Sequence, residues 1–218
     1  MRHPERGVIG PDSFIPAAEA GGWIEALTDR VVEESVKRAA AWHGKDGPIA
    51  VSINLSAAAL KDLSYPDSLF QHCLDGAVPP EQIVLELTES SLAGDPDVLL
   101  EIMARLRLKK FKLSIDDFGT GFSSLEQLKG LPFHELKIDK SFVLDALDNT
   151  RSRSILENSL RLATDLNLKT VAEGVETREH LQLLRELGCD IAQGYLIARP
   201  MPADDVPLWL DQFDANTL

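Results

Sequence analysis

At 218 residues, 44% of them hydrophobic and 26% charged, the chain has the length of one large domain and the composition of an ordinary globular protein. Its formal net charge of −13 argues against binding to DNA, RNA or an anionic membrane surface, all of which call for basic patches. It leaves room for a small phosphate-containing ligand where metal ions mask the local carboxylates. No apolar run reaches the length of a membrane span, and MRHPERGVIGPDS at the N-terminus lacks the apolar centre of a signal peptide. Cys73 and Cys189 stand far apart in no metal-type spacing, so two free thiols and a cytoplasmic location are expected.

In chain order, one long helical region is expected from Phe14 to Trp42, followed by the β-rich run IAVSIN (49–54). A second β-rich run, IVLEL (83–87), leads to the amphipathic stretch DVLLEIMARLRL (97–108), with Asp95 as N-cap and Pro96 at the first helical position. Next comes FKLSI (111–115), then two adjacent aspartates and a loop with two glycines, where Ser123 and Glu126 fit a capping box. ELKID (135–139), the helix RSILENSLRLATDL (153–166) and KTVAE (169–173) continue the alternation. REHLQLLRELG (178–188) ends on Gly188, a good C-cap, and DIAQG (190–194) is the sixth β-rich run.

Alternating strands and helices imply a mostly parallel sheet with helices outside it, either an open doubly wound sheet or a closed barrel. The polar residues favour the barrel. The first strand ends in Asn54, the second in Glu86 and Glu89, and the third in Asp116 and Asp117. The fourth carries Lys137, the fifth ends in Glu173 and the sixth in Gln193. An open sheet gathers function at one switch point, whereas all strand ends of a (β/α)8 barrel converge on one mouth. Such a barrel has eight strands and the pattern supplies six, so the chain reads as an α/β, TIM-like barrel two strands short at its N-terminus.

Glu86, Asp116, Asp117 and Glu173 are four carboxylates aimed at one mouth. Left alone they repel one another and their pKa values rise; divalent cations relieve this. With the Asn54 amide they form an all-oxygen donor set, which suits Mg²⁺ or Mn²⁺ rather than zinc. The adjacent aspartates point to two ions, about 4 Å apart, that clamp a phosphodiester and activate water. Lys137 supplies a positive charge for the phosphate or the developing oxyanion. Taken singly, each motif has a bland reading as a solvated turn or a helix cap; six at successive strand ends do not. His3, His43, His72, His134 and His180 show no mutual metal spacing.

The segments SINLS (52–56), ELTES (86–90), DDFGTGFSSL (116–125), LKIDKSFV (136–143), VAEGVET (171–177) and QGYLIARP (193–200) closely resemble the EAL-domain family. HPERGVIGPDSFIPAAEAGGWI (3–24) is similar to the segment that follows the family's first motif, so the resemblance covers essentially the whole chain as a single domain, 1–218. It implies a modified TIM barrel and a bacterial phosphodiesterase that opens cyclic di-GMP to linear pGpG. By resemblance, Asn54, Glu86 and Asp116 hold one Mg²⁺ or Mn²⁺ ion, and Asp116 bridges to a second held by Asp117 and Glu173. Glu173 is alternatively the general base, Lys137 is the catalytic lysine, and Gln193 and Glu176 occupy further active-site positions beside the metals. Glu89 props the loop Gly119-Thr120-Gly121, which the resemblance links to homodimer formation. Upstream sensory, receiver or GGDEF domains are also implied.

The family's naming motif, Glu-Ala-Leu-x-Arg, contributes a metal ligand and a substrate contact, and by resemblance it would fall just before Met1. Glu25-Ala26-Leu27 has the same three letters but lies inside the long helical region, where its glutamate is expected to face solvent. An N-terminally incomplete domain of an ordinary enzyme is the favoured reading. The alternative is a catalytically inactive cyclic di-GMP sensor or interaction module.

Overall fold

The computed structural model describes all residues except 1, 46, 93, 122–124 and 216–217. Its centre is a six-stranded sheet: β1 (Val51–Asn54), β2 (Ile83–Thr88), β3 (Lys112–Phe118), β4 (Glu135–Ile138), β5 (Lys169–Ala172) and β6 (Ile191–Ala192). Every neighbouring pair is parallel, and the strands lie side by side in unbroken chain order. That order separates the two sequence alternatives. A doubly wound sheet reverses direction at a switch point, whereas right-handed crossovers that all step the same way curl the sheet toward a barrel. The six strands are the wall of a TIM-like barrel, and among the described residues β1 and β6 do not pair with each other.

One face of this wall is dry. Leu85, Leu87, Leu113, Ile115, Leu136 and Ile138 are fully buried against the surrounding helices. Helix α1 spans Ile15–Ala20, α2 Ile24–Ala41, α3 Tyr65–Asp75 and α4 Pro96–Leu108. In α4 the buried residues Leu99, Ile102, Met103 and Leu106 form the i, i+3, i+4, i+7 stripe of a helix lying on a sheet. Asp95 caps this helix as expected, its Oδ1 accepting from the backbone N–H groups of Asp97 and Val98. Helices α5 (Leu125–Gly130), α6 (Lys140–Asp145), α7 (Thr150–Asp165), α8 (Arg178–Glu186) and α9 (Val206–Gln212) complete the set.

The other face is polar. Asn54, Glu86, Ser114, Glu135 and Lys169 are Cα partners in one row across five strands, so they share the inner side of the wall. The expected single helix from Phe14 to Trp42 is instead two. Gly21-Gly22 break it, because Gly22 adopts a left-handed φ of +69° that ends α1 and redirects the chain into α2. The proposed Ser123–Glu126 capping box lies outside the described residues. No helix among the described residues is long and apolar enough to cross a membrane, and both cysteines are free.

His134 ties together the starts of three strands. Its Nδ1 accepts from the Leu113 N–H at 3.0 Å, its own N–H donates to Leu113 O, and its carbonyl accepts from the Lys169 N–H. The ring must be neutral at Nδ1 to do so. Burial, then Arg107 and Lys112, push its pKa from 6.5 down to about 4. A depressed folded-state pKa gives stability that is complete above pH 6.5 and is lost as the pH falls through about 4. Urea midpoints are therefore expected to fall more steeply over that window in the wild type than in His134→Ala; parallel pH profiles would contradict this role.

Candidate metal centre

In a regular strand, adjacent side chains point to opposite faces, so Asp116 and Asp117 should not both reach the mouth. The register of β3 on β4 shows how they do. Ser114 pairs with Glu135 and Ile115 with Leu136, but the next partners are Phe118 and Ile138. Asp116 and Asp117 together stand opposite the single residue Lys137, which is a β-bulge. Asp117 takes up the extra residue with a φ of +54°, a left-handed conformation that aspartate tolerates better than most side chains. Carboxylate oxygens of Asp116, Asp117 and Glu173 consequently lie within 4.8 Å of one another.

Lys137 stands at the centre of the cluster. Its Nζ lies 2.7 Å from Glu173 Oε1, 2.8 Å from Asp116 Oδ1 and 3.0 Å from Glu86 Oε1. Lys137, Glu86 and Asp116 are 4, 6 and 9% exposed, so water screens these charges poorly. Burial alone would lower the lysine's pKa; Glu86, Asp116 and Glu173 overcome it and raise the pKa above the ordinary value. Burial raises Glu173, with Lys137 pulling the other way and Asp116 and Glu86 adding to the rise. Burial also raises Asp117, reinforced by Asp116 and Asp139. Asp139 was not among the residues singled out from the sequence. It caps α6 by accepting from the Ser141 N–H, and its charge reaches Asp117; its place two residues after Lys137 in LKID was the available signal.

The remaining expected residues fall around this cluster. Asn54 ends β1 as the Cα partner of Glu86. It is exposed and lines a cleft of about 740 Å³ that also reaches Asp116 and Asp117. The same cleft is lined by Phe14, Ile15 and Leu27, and by the polar Asp12, Glu19 and Thr28, from α1, α2 and the turn before them. Glu89 sits in a one-turn helix after β2, and its Oε1 accepts from the Gly119 N–H at 3.0 Å. A side chain at Gly121 would collide with the Glu89 carboxylate, and Thr120 Oγ1 donates to Asp117 O. The glycine loop is thus tied on one side to Glu89 and on the other to the bulge. Glu176 and Gln193 lie in the segments following β5 and β6, and both are exposed. Neither side chain bonds to the Lys137 cluster among the described residues. Glu25 lies on α2 and is exposed, as expected of a chance match to the motif.

Four carboxylates face one ammonium, and every donor is a hard oxygen. This arrangement fits divalent cations: the charge is in excess, and the Asp116, Asp117 and Glu173 oxygens are close enough to share one. Asn54 and Glu86 are Cα partners on β1 and β2, and Glu86 is in turn the partner of Ser114 on β3.

The family model described as EAL domain matches residues 1–200. Among curated relatives, the cyclic di-GMP phosphodiesterase NbdA of Pseudomonas aeruginosa is 40% identical over 203 residues, covering 92% of this chain and 26% of that protein. The bifunctional diguanylate cyclase/cyclic di-GMP phosphodiesterase MucR of the same organism is 38% identical over 205 residues, covering 94% of this chain and 30% of its own length. The chain therefore spans less than a third of either relative. A solved structure of the PaMucR phosphodiesterase in complex with c-di-GMP matches with a TM-score of 0.87 at 38% identity, over 94% of this chain and 83% of that one.

Removing the central ammonium leaves buried carboxylates uncompensated. Lys137→Met is expected to lower unfolding stability near neutral pH by about 3 kcal/mol, with part recovered on adding Mg²⁺ or Mn²⁺. Thermal unfolding with and without the cation measures both; an unchanged midpoint would show that Lys137 does not balance the cluster.

Proposed function

The chain belongs to the EAL-domain family, and on that footing we propose that it is a metal-dependent phosphodiesterase that hydrolyses cyclic di-GMP to linear pGpG. The observation that carries the reading is the bulge, which turns two consecutive aspartates toward Glu173. In this reading Asn54, Glu86 and Asp116 would hold one ion, and Asp116, Asp117 and Glu173 would hold the other, each Mg²⁺ or Mn²⁺. Bound there, the ions neutralise phosphate charge and lower the pKa of water.

The protein's own groups do the rest. Lys137, buried and kept protonated by three carboxylates, supplies a fixed positive charge beside the phosphate, where negative charge develops. Glu173 has a second assignment as general base, and the burial that raises its pKa favours proton uptake there. A bond forms between the water oxygen and phosphorus, one phosphorus–oxygen ester bond breaks, and the departing oxygen takes up a proton. Ring opening at one of the two phosphates leaves a linear dinucleotide. The mixed cleft suits such a ligand, since Asp116 and Asp117 line it together with apolar side chains such as Phe14, Ile15 and Leu27 that a base could pack on. Gln193 and Glu176 act from the rim of the mouth.

The same reading makes the described fold part of a single domain working in the cytoplasm, coupled to upstream sensory, receiver or GGDEF domains. It also extends to a homodimer through the loop Gly119-Thr120-Gly121, which Glu89 links to the metal-binding bulge.

Asp116 touches Lys137 and belongs to both proposed ligand sets. Asp116→Ala is expected to reduce pGpG formation by at least about a hundredfold at equal metal concentration, followed by chromatography of the nucleotides. Near-normal turnover in that variant would overturn the assignment. Nucleotide binding without any pGpG from the wild type would favour the sensor alternative.

A further inference from the structure

The strand that delivers Gln193 is the shortest in the sheet. β6 has two residues, paired as Ile191 with Val171 and Ala192 with Ala172, and it has a partner on one side only among the described residues. So short an edge strand sets its own register weakly, and a slip of one residue turns each side chain to the opposite face. A reaction that uses Gln193 needs something more than two ladder positions to hold it.

Asp190, the residue before β6, supplies it. Its Oδ2 accepts from the Thr170 N–H at 2.8 Å and from the Thr170 hydroxyl at 2.7 Å. The same hydroxyl oxygen accepts from the Asp190 N–H at 2.9 Å, closing a reciprocal clamp on β5. Thr170 is buried, and its bonds hold the Asp190 carboxyl below the usual range. At the other end of β6 the Gln193 N–H donates to Ala172 O, and Gln193 O accepts from the Val175 N–H. Gly194 lies so close to the Val175 backbone that a Cβ would collide with it, so the chain cannot shift past this point.

We propose that the Asp190–Thr170 clamp is a register lock, and that Asp190 is a positioning residue that keeps Gln193 at the barrel mouth beside Glu173. The proposal rests on the phosphodiesterase reading for the use of Gln193, but not for the lock itself.

Two measurements on the full chain test it. Asp190→Ala and Thr170→Val, the second keeping the shape of the side chain, are expected to speed amide exchange at Val175, Gln193 and Leu196 by about tenfold or more. Exchange at Leu113 and Leu85 is expected to stay the same, and Asp190→Asn, which keeps an acceptor, to restore part of the protection. In the pGpG assay, Asp190→Ala is expected to lower kcat in the wild-type background and to add no further loss to Gln193→Ala. Unchanged protection at those three amides, or fully additive losses in the double variant, would overturn the lock. If the wild-type chain turns over no cyclic di-GMP, the phosphodiesterase reading falls, and the exchange measurement alone decides the lock.

Discussion

Like charges brought together out of water are the constraint on which the rest of this molecule turns. Two carboxylates 4.8 Å apart repel by about 3–4 kcal/mol at an effective dielectric near 20. Four of them converge here, and Lys137 forms ion pairs with three of them. A chain selected for stability alone would not keep this arrangement, since an apolar cluster of similar size is commonly as stable or more so. Its excess of carboxylates fits a site whose charge divalent cations complete.

The fold meets that demand by separating its two faces. Strands in chain order, each crossover stepping the same way, let helices such as α4 and α7 pack on one face and leave the other for polar groups. Apolar residues such as Leu113, Ile115 and Leu136 anchor the outer face, while Glu86, Ser114 and Lys137 stand on the inner one. β-strands hold Glu86 and Asp116 in place, and the bulge adds a second carboxylate, Asp117, at the end of β3. Thr120 and Glu89 then fasten the glycine loop to that same point.

Much of this was legible in the residues. Six apolar runs marked six strands, and the polar group ending each one distinguished a barrel mouth from a switch point. Asp95 announced its helix by the chemistry of a cap. What the sequence could not show was register. Nothing in the letters DD says that two residues will oppose one, because a bulge is decided by the partner strand and by a left-handed φ at Asp117. The three-way ion pair of Lys137 was hidden for the same reason, as its partners come from β2, β3 and the residue that follows β5. The region Phe14 to Trp42 read as one helix, and the break at Gly21-Gly22 comes from the left-handed φ of Gly22. Asp190 was read as the first residue of the sixth β-rich run, and its tie to Thr170 appears once β6 is laid beside β5.

The measurement that goes most directly to the central claim is a Mn²⁺ titration followed by electron paramagnetic resonance, comparing the wild type with Asp116→Ala. If the bulge builds a shared carboxylate site, the wild type binds two ions whose spectra are coupled, and the variant loses that coupling along with at least one ion. Weak, uncoupled binding that is the same in both proteins would mean that the four carboxylates are balanced by Lys137 alone and do not form a metal centre.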